Sequence, residues 1–216
     1  MKDWLLYKIL REFKNVLACL ISAVRIVIND HVMDRRLGVK TDIGPERSGN
    51  DTSMYKDMHI YAATSYRVLR QVFDRIDPGP DDIFVDLGCG KGRAVFFAST
   101  RVLKKIIGIE LDTKFFAIAR ENLSKLKVRK TPIEIIKADI ATADILEGTI
   151  FFMFNPAGHK TIERVLSNIL KSLETNSRKI FIAYYDPEDR RLFDVQERLV
   201  PEGQIGNTGV YLWRNK

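Results

Sequence analysis

Cysteine and histidine are scarce in this sequence, and their scarcity excludes two kinds of chemistry. The 216-residue chain holds two cysteines and three histidines. Cys19 and Cys89 lie far apart in different settings, so they predict neither a disulfide framework nor a metal site. His31, His59 and His159 show no metal-ligand spacing. We therefore expect a protein of a reducing, cytoplasmic compartment that uses no catalytic metal.

The chain also lacks an uncharged run of bilayer-spanning length. Residues 1–28 are apolar and basic, but their longest uncharged stretch, residues 15–24, is well below the roughly 20 residues that a span requires. Charged residues also interrupt this segment too early for a signal peptide. Two interpretations stay open: a helix packed on the domain, or a basic amphipathic helix in peripheral contact with a membrane surface.

Basic residues outnumber acidic ones, and the net charge is +7. Such a balance permits contact with nucleic acid or anionic lipid without requiring either. Lys125, Lys127, Arg129 and Lys130 cluster at the end of a predicted helix, but no aromatic residues interleave to form a stacking surface for bases. We interpret this cluster as a solvated helix end.

A polar stretch over residues 31–60 predicts a boundary. We expect an N-terminal helical segment and polar loop over residues 1–58, followed by one domain over residues 59–216. The 45% hydrophobic content is sufficient for the core of such a domain. The oligomeric state does not follow from the sequence.

Short apolar runs alternate with helical patterns in the second part of the chain. The strand-like runs are, in order, IFVDLG, KIIGIEL, PIEIIKAD, TIFFMFNP, KIFIAYYDP and GVYLWR. Continuous apolar strands that alternate with helices are typical of a parallel sheet covered on both faces. Of the two tyrosines that end the fifth run, Tyr184 and Tyr185, one is expected in the core and the other on the opposite face.

Three alternating glycines follow the first predicted strand in the sequence FVDLGCGKG. Gly88, Gly90 and Gly92 would lie at the carboxyl end of that strand, where open α/β sheets bind ligands. A tight turn alone requires one glycine, whereas three allow a ligand to approach backbone N–H groups at a helix N-terminus. We therefore predict a ligand-binding loop.

The residues around this loop argue against a dinucleotide. The fingerprint G-x-G-x-x-G requires a sixth-position glycine, but Arg93 stands there. Asp86 precedes Gly88 by two residues, and a carboxylate suits the ammonium group of a cationic ligand better than a pyrophosphate. A nicotinamide-dependent oxidoreductase is therefore disfavoured.

The segment VDLGCGKGR resembles the first motif of class I S-adenosylmethionine-dependent methyltransferases, IIGIELD resembles the second, and KADI the third. The resemblance implies that Glu110 holds the ribose hydroxyls of the cofactor and that Asp139 meets the adenine amino group. The residues assigned to the cofactor site are Tyr61, Thr64, Asp86, Gly88, Cys89, Gly90, Gly92, Glu110, Leu111, Asp139, Ile140 and Asn155.

Two further segments bear on the methyl acceptor. FNPAG resembles the fourth motif and places Asn155 beside the transferred methyl, while YAATSY is similar to a Tyr-x-x-Thr segment of lysine methyltransferases related to the non-SET histone enzyme. Tyr61 and Asn155 are accordingly the predicted catalytic residues. Ala157 and Gly158 replace the proline and aromatic of nucleic-acid amino-methylating enzymes, which argues against nucleic acid as the acceptor.

The resemblance covers about residues 60–187. It implies a Rossmann-like sheet of seven strands, mostly parallel with an antiparallel last strand, and helices on both faces. It also implies S-adenosylmethionine as cofactor and an amine acceptor, with a protein lysine as our hypothesis. The alternatives are methylation of a small molecule or nucleic acid, and a non-catalytic module that only binds S-adenosylmethionine.

Overall fold

The structure is a computed structural model that describes residues 2–42, 62–145 and 147–216. Its helices are α1 (Lys2–Leu37), α2 (Tyr66–Ile76), α3 (Arg93–Ala98), α4 (Thr113–Lys125), α5 (His159–Thr175) and α6 (Arg191–Asp194). Its strands are β1 (Ile83–Leu87), β2 (Lys105–Glu110), β3 (Ile133–Lys137), β4 (Ile150–Phe154), β5 (Phe181–Tyr185), β6 (Leu199–Gln204) and β7 (Val210–Asn215).

The strands form one sheet in the order β3-β2-β1-β4-β5-β7-β6. Strands β1 to β5 are parallel, and β7 runs antiparallel between β5 and β6. This arrangement confirms the predicted sheet with its antiparallel last strand. The strand order reverses between β1 and β4, and ligands of open α/β sheets bind at the carboxyl ends of the strands at such a switch point.

Two hydrophobic clusters cover the two faces of the sheet. One contains α2, α3 and part of α4, and the other contains α5 and α6. Strand β1 serves both faces because its side chains alternate, with Phe84 in the first cluster and Val85 in the second. Tyr184 lies in the second cluster and Tyr185 packs against the first, as predicted.

Strand β6 has no clear signature in the sequence. It is the edge of the sheet, only its first residue is buried, and its pairing with β7 shifts between Pro201 and Gly203. Proline and an irregular register are tolerated at an edge because one side of the strand needs no partner. An alternating apolar pattern was therefore not required there.

Among the residues that the structure describes, helix α1 packs on the domain at its C-terminal end. The buried carboxylate of Asp34 accepts hydrogen bonds from the backbone N–H of Thr41 (2.6 Å) and from the hydroxyls of Thr41 and Tyr66. Residues 11–25, in contrast, are exposed throughout. The interpretation of this segment as a helix packed on the domain is therefore wrong for residues 11–25, because the helix runs past the edge of the domain.

Candidate active site

The glycine loop follows β1 and passes close to the end of β4. The backbone N–H groups of Gly88 and Cys89 both donate to the carbonyl of Ile109, at 2.9 Å each, which ties the loop to β2. Gly88 has φ 83°, and a Cβ atom there would lie 2.5 Å from Cβ of Pro156. Glycine is required at this position by both its backbone conformation and the close approach of the two segments.

The side chain of Cys89 turns away from the loop into the core. Its sulfur lies near Gly108 of β2, where a Cβ atom would come within 3.0 Å of it. Burial raises the pKa of the thiol well above its usual range, and the nearby carboxyls of Asp86 and Glu110 raise it further. Cys89 is therefore positioned to contribute its backbone to the site rather than a reactive thiolate.

Glu110 at the end of β2 binds the backbone of the glycine loop and of the chain after β2. Its Oε2 accepts a hydrogen bond from the N–H of Gly90 and its Oε1 from the N–H of Asp112, both at 2.7 Å. Burial raises the pKa of this carboxyl, while the backbone donors oppose the rise. Each carboxylate oxygen has two acceptor positions, so these bonds, together with a smaller contribution from the backbone of Leu111, leave acceptor capacity for a ligand hydroxyl.

Asp86 has a different environment from Glu110. Its side chain is 4% exposed and makes no hydrogen bond to any residue in the described ranges. Burial, and secondly the negative charge of Glu110, raise its pKa to about 8. A buried carboxyl without a partner is energetically unfavourable when ionised, and a cationic ligand would relieve that cost. This orphaned group fits the ammonium and sulfonium of S-adenosylmethionine.

The predicted residues beyond β2 and β3 reach the same edge of the sheet. Leu111 is half-buried directly after β2. Asp139 is exposed after β3, and its Oδ1 accepts a hydrogen bond from the N–H of Ala141 at 2.8 Å. Ile140 is buried in the cluster that contains α5 and α6. The carboxylate of Asp139 is thus open to solvent with its second oxygen available to a ligand.

Asn155 directly follows β4 and has a left-handed backbone conformation, with φ 37°. Its Oδ1 accepts a hydrogen bond from the hydroxyl of Tyr184 at 2.9 Å, and its Nδ2 donates to the carbonyl of Asp186. The two contacts hold the amide between the ends of β4 and β5. Tyr184 was not predicted as a site residue; its position at the end of the strand next to β4 was the available signal.

An aromatic pair lies on the opposite face from Tyr184. Phe154 and Tyr185 stack with ring centroids 4.2 Å apart and 22° between their planes. Both rings are half-buried, two residues further along their strands than the buried positions Phe152 and Ala183. Because Asp86 pairs with Phe152, the aromatic pair and Asp86 project from the same face of the sheet.

The basic residues of the glycine loop face helix α1 and the chain after it. Arg93 donates from Nη1 to Asp30 at 2.9 Å and from Nε to the hydroxyl of Thr41 at 2.7 Å. Nζ of Lys91 donates to the carbonyl of Asp42 at 2.9 Å. Arg93, which takes the place of the sixth-position glycine, therefore attaches the loop to α1.

The remaining predicted residues lie just before α2. Thr64 is buried and precedes Ser65, whose hydroxyl caps α2 by accepting from the N–H of Val68. Tyr61 lies outside the described residues. Within the described ranges, no three His, Cys, Asp or Glu residues are grouped to hold a metal ion. The ligand and catalytic roles of the predicted residues stay predictions.

Comparison with solved structures supports the classification of the fold. An RNA methyltransferase from Salinibacter ruber, solved with S-adenosyl-L-homocysteine, superposes with a TM-score of 0.55 at 23% identity, covering 71% of this chain and 92% of that one. A human methyltransferase 10 domain containing protein superposes with a TM-score of 0.56 at 12% identity, covering 88% and 95%. This sheet, with its glycine loop and the acid that ends β2, places the molecule in the class I S-adenosylmethionine-dependent methyltransferases.

Sequence comparison defines the family within that class. Residues 50–181 match the family described as "Histone methylation protein DOT1". The match covers more than half of the chain, so the protein belongs to this family. A protein-lysine N-methyltransferase of Saccharolobus islandicus is 33% identical over 95 residues, 44% of this chain and 58% of that enzyme. The H3 lysine-79 specific histone-lysine N-methyltransferase of Drosophila melanogaster is 27% identical over 147 residues, 62% of this chain but 8% of that protein.

Proposed function

We propose that the protein transfers the methyl group of S-adenosylmethionine to an amine, and specifically to a protein lysine. The cofactor supplies a methyl group already activated on a sulfonium, so the protein has mainly to bind it and align the acceptor. The observation that carries the proposal is the Asn155 amide, held by Tyr184 and by the carbonyl of Asp186 beside the glycine loop. The relatives named as lysine methyltransferases support lysine as the acceptor.

Three carboxyl groups each bind a different part of the cofactor. Glu110 retains acceptor capacity for the ribose hydroxyls beside the backbone groups that it already binds. Asp86, which makes no hydrogen bond to the part of the chain that the structure describes, is the buried carboxyl that complements the cationic end of the cofactor. Asp139 offers its second oxygen to the adenine amino group. This division extends across the ends of β1, β2 and β3, as an extended nucleoside ligand requires.

The Asn155 amide is suited to orient a neutral amine. Its Nδ2 donates to the carbonyl of Asp186, which determines where its Oδ1 points. Oδ1 accepts one hydrogen bond from Tyr184 and retains a second lone pair. A free lysine has a pKa of about 10.4, and a site beside a sulfonium lowers that value because a second positive charge is disfavoured. The deprotonated amine can then donate to Oδ1 and direct its lone pair at the methyl.

The cytoplasm is the proposed place of action. Both cysteines are free, Cys19 exposed and Cys89 buried. Free thiols are typical of a reducing compartment.

Tritiated S-adenosylmethionine incubated with the protein and a cell extract tests the acceptor class. Protein, nucleic-acid and small-molecule fractions are counted separately, and we expect the label in protein, on lysine after hydrolysis. Label confined to nucleic acid or small molecules would refute the lysine acceptor. Cofactor binding without transfer to any fraction would instead favour a non-catalytic binding module.

A further inference from the structure

Helix α1 presents a continuous apolar face to solvent. Val27 is 68% exposed, Phe13 65% and Leu20 58%. The exposed apolar residues of the face are Phe13, Val16, Leu17, Leu20, Ile21, Val24, Val27 and Ile28. A face of this size on one helix is unusual for a surface that meets only water, and it marks a binding surface.

The direction of this face follows from helical geometry. At about 100° per residue, the eight residues occupy an arc of roughly 140° that no charged residue interrupts from position 13 to position 28. The residues by which α1 meets the domain include Asp30 and Leu37, whose side chains lie roughly 110–130° from the centre of that arc, and Asp34, which lies at its border. The apolar face therefore adjoins the side of α1 that meets the domain, and its exposed residues lie on the turns that extend beyond the domain.

A narrow polar stripe runs along the side of α1 opposite the apolar face. Its exposed members are Arg11, Asn15, Ser22, Arg25 and Asn29, which recur at three- or four-residue intervals, with a single gap of seven that Ala18 divides. Lys14 borders the apolar face near this stripe. Cations next to a broad apolar face complement the phosphates of an anionic lipid surface while their aliphatic stems follow the apolar side chains.

A second copy of the chain is a poorer occupant than lipid. A two-stranded coiled coil buries a seam of two positions per heptad and is normally flanked by charged residues that select the partner. On α1 the seam would contain Leu17, Leu20 and Val24, but the flanking positions hold Val16, Ile21 and other apolar residues. Such a pairing would leave much of the apolar face in water.

Orientation in the membrane follows from the charges and from the attachment of α1. The stretch Arg11–Leu37 is long and apolar enough to cross a bilayer by length and composition. Asp30, however, pairs with the buried Arg93 of the domain, at 2.9 Å. Residues 11–29 ahead of it extend about 28 Å, and Lys14 and Arg25 leave only about 15 Å of that free of charge. An uncharged stretch of about 15 Å is too short to cross a hydrocarbon core of about 30 Å.

We infer that α1 lies in the surface plane of an anionic bilayer, with its apolar face among the acyl chains and its cationic side chains at the headgroups. This inference does not depend on the reaction that the protein catalyses. Because Asp30 and Thr41 both hold Arg93, directly after Gly92, the attachment places the glycine loop close to the membrane surface. Membrane-proximal acceptors would then be favoured.

Vesicle binding by the full chain tests the inference. We expect the protein to co-sediment with phosphatidylcholine vesicles that contain phosphatidylglycerol, to bind pure phosphatidylcholine several-fold less, and to lose most binding in high salt. Two variants carry the same new charge on the same helix: Leu20→Glu in the apolar face and Ser22→Glu in the polar stripe. We expect Leu20→Glu to abolish binding and Ser22→Glu to retain most of it, with unchanged melting temperatures.

Several outcomes would overturn the inference. The bilayer would be excluded as the occupant if the wild-type protein did not bind anionic vesicles. It would also be excluded if both variants lost the same fraction of vesicle binding. A stable two-copy assembly that excludes vesicles and that Leu20→Glu splits would assign the face to a second copy of the chain. Protein that resists extraction by alkaline carbonate would show a membrane-crossing helix in place of a surface helix.

Discussion

Two regions of the molecule carry opposite free-energy costs. One is the edge of the sheet at the glycine loop, and the other is the exposed half of α1. At the edge, Asp86 and Glu110 are carboxyl groups removed from water, 4% and 5% exposed. On α1, large apolar side chains face water. Burying charge without a partner and exposing apolar surface both cost free energy. Each cost identifies what the region lacks: cationic and hydroxyl groups at the edge, an apolar phase at the helix.

Ion pairs connect the two regions. Asp34 and Asp30 tie the end of α1 to Arg93, which follows the glycine loop. The last turns of α1 are thus part of the domain, while the preceding turns are not. The attachment is testable separately from both regions that it joins.

The largest expected effect comes from breaking this attachment. Asp34→Ala removes a buried carboxylate that Thr41 and Tyr66 both use, so we expect a loss of about 3–5 kcal/mol in the free energy of unfolding. The melting temperature should fall by roughly 6–20 °C. Asp74→Ala is the matched control, since Asp74 forms only an exposed ion pair with Arg101 and should cost at most about 1 kcal/mol. Equal melting temperatures for the two variants would contradict the attachment.

The next effect sharpens the role of the sheet edge in the chemistry. Asn155→Ala should lower the methyl-transfer rate by about 100-fold, far more than it changes cofactor affinity, because the main role of the amide is to orient the acceptor. Asn176→Ala, at the exposed C-terminus of α5, is the control. Single-turnover rates and calorimetric dissociation constants separate the two quantities. A variant with full rate would remove Asn155 from the catalytic residues.

Glu110→Ala tests cofactor binding at the same edge. Charge-assisted hydrogen bonds to the ribose are worth about 1.5–3 kcal/mol, so the dissociation constant should rise roughly 10- to 150-fold. Some destabilisation accompanies this change because Gly90 and Asp112 lose the acceptor of their N–H groups. Glu163→Ala on the exposed face of α5 is the control. Unchanged affinity in a folded Glu110→Ala protein would disprove the assignment.

The smallest effect is the pH dependence that Asp86 introduces. Its pKa of about 8 in the folded protein lies above the unfolded value of about 3.9, so the folded state holds an extra proton between these values. The contribution of this group to the free energy of unfolding is fully present below about pH 4 and is lost as the pH rises to about 8. A cationic ligand favours the ionised carboxylate, so affinity should increase from about pH 6 to 7.5 with proton release.

Calorimetry in two buffers of different ionisation enthalpy measures that proton release directly. Asp86→Asn, which cannot ionise, should flatten both the pH dependence of affinity and the proton release. Equal proton release by the variant and the wild type would show that another group titrates on binding. The measurement thereby separates the electrostatic cost at Asp86 from the hydrogen bonds at Glu110.

Much of the fold and of the candidate site could be predicted because the signals are local. Apolar runs followed by Gly88 or by Glu110 show where a strand ends, and parallel strands bring those ends to one edge. The N-terminus of α4 follows the same logic, since Asp112 caps it through the N–H groups of Lys114 and Phe115. Each of these features depends on residues within a few positions of one another.

What could not be predicted depends on residues far apart in the chain. The hydrogen bond from Tyr184 to Asn155 and the ion pair from Arg93 to Asp30 join residues 29 and 63 positions apart. A sequence shows that a side chain can donate or accept, but not which distant group the packing brings to it. The same holds for α1: its periodicity predicts an amphipathic helix, and only the extent of the folded domain shows that no residue of the described ranges covers the apolar face.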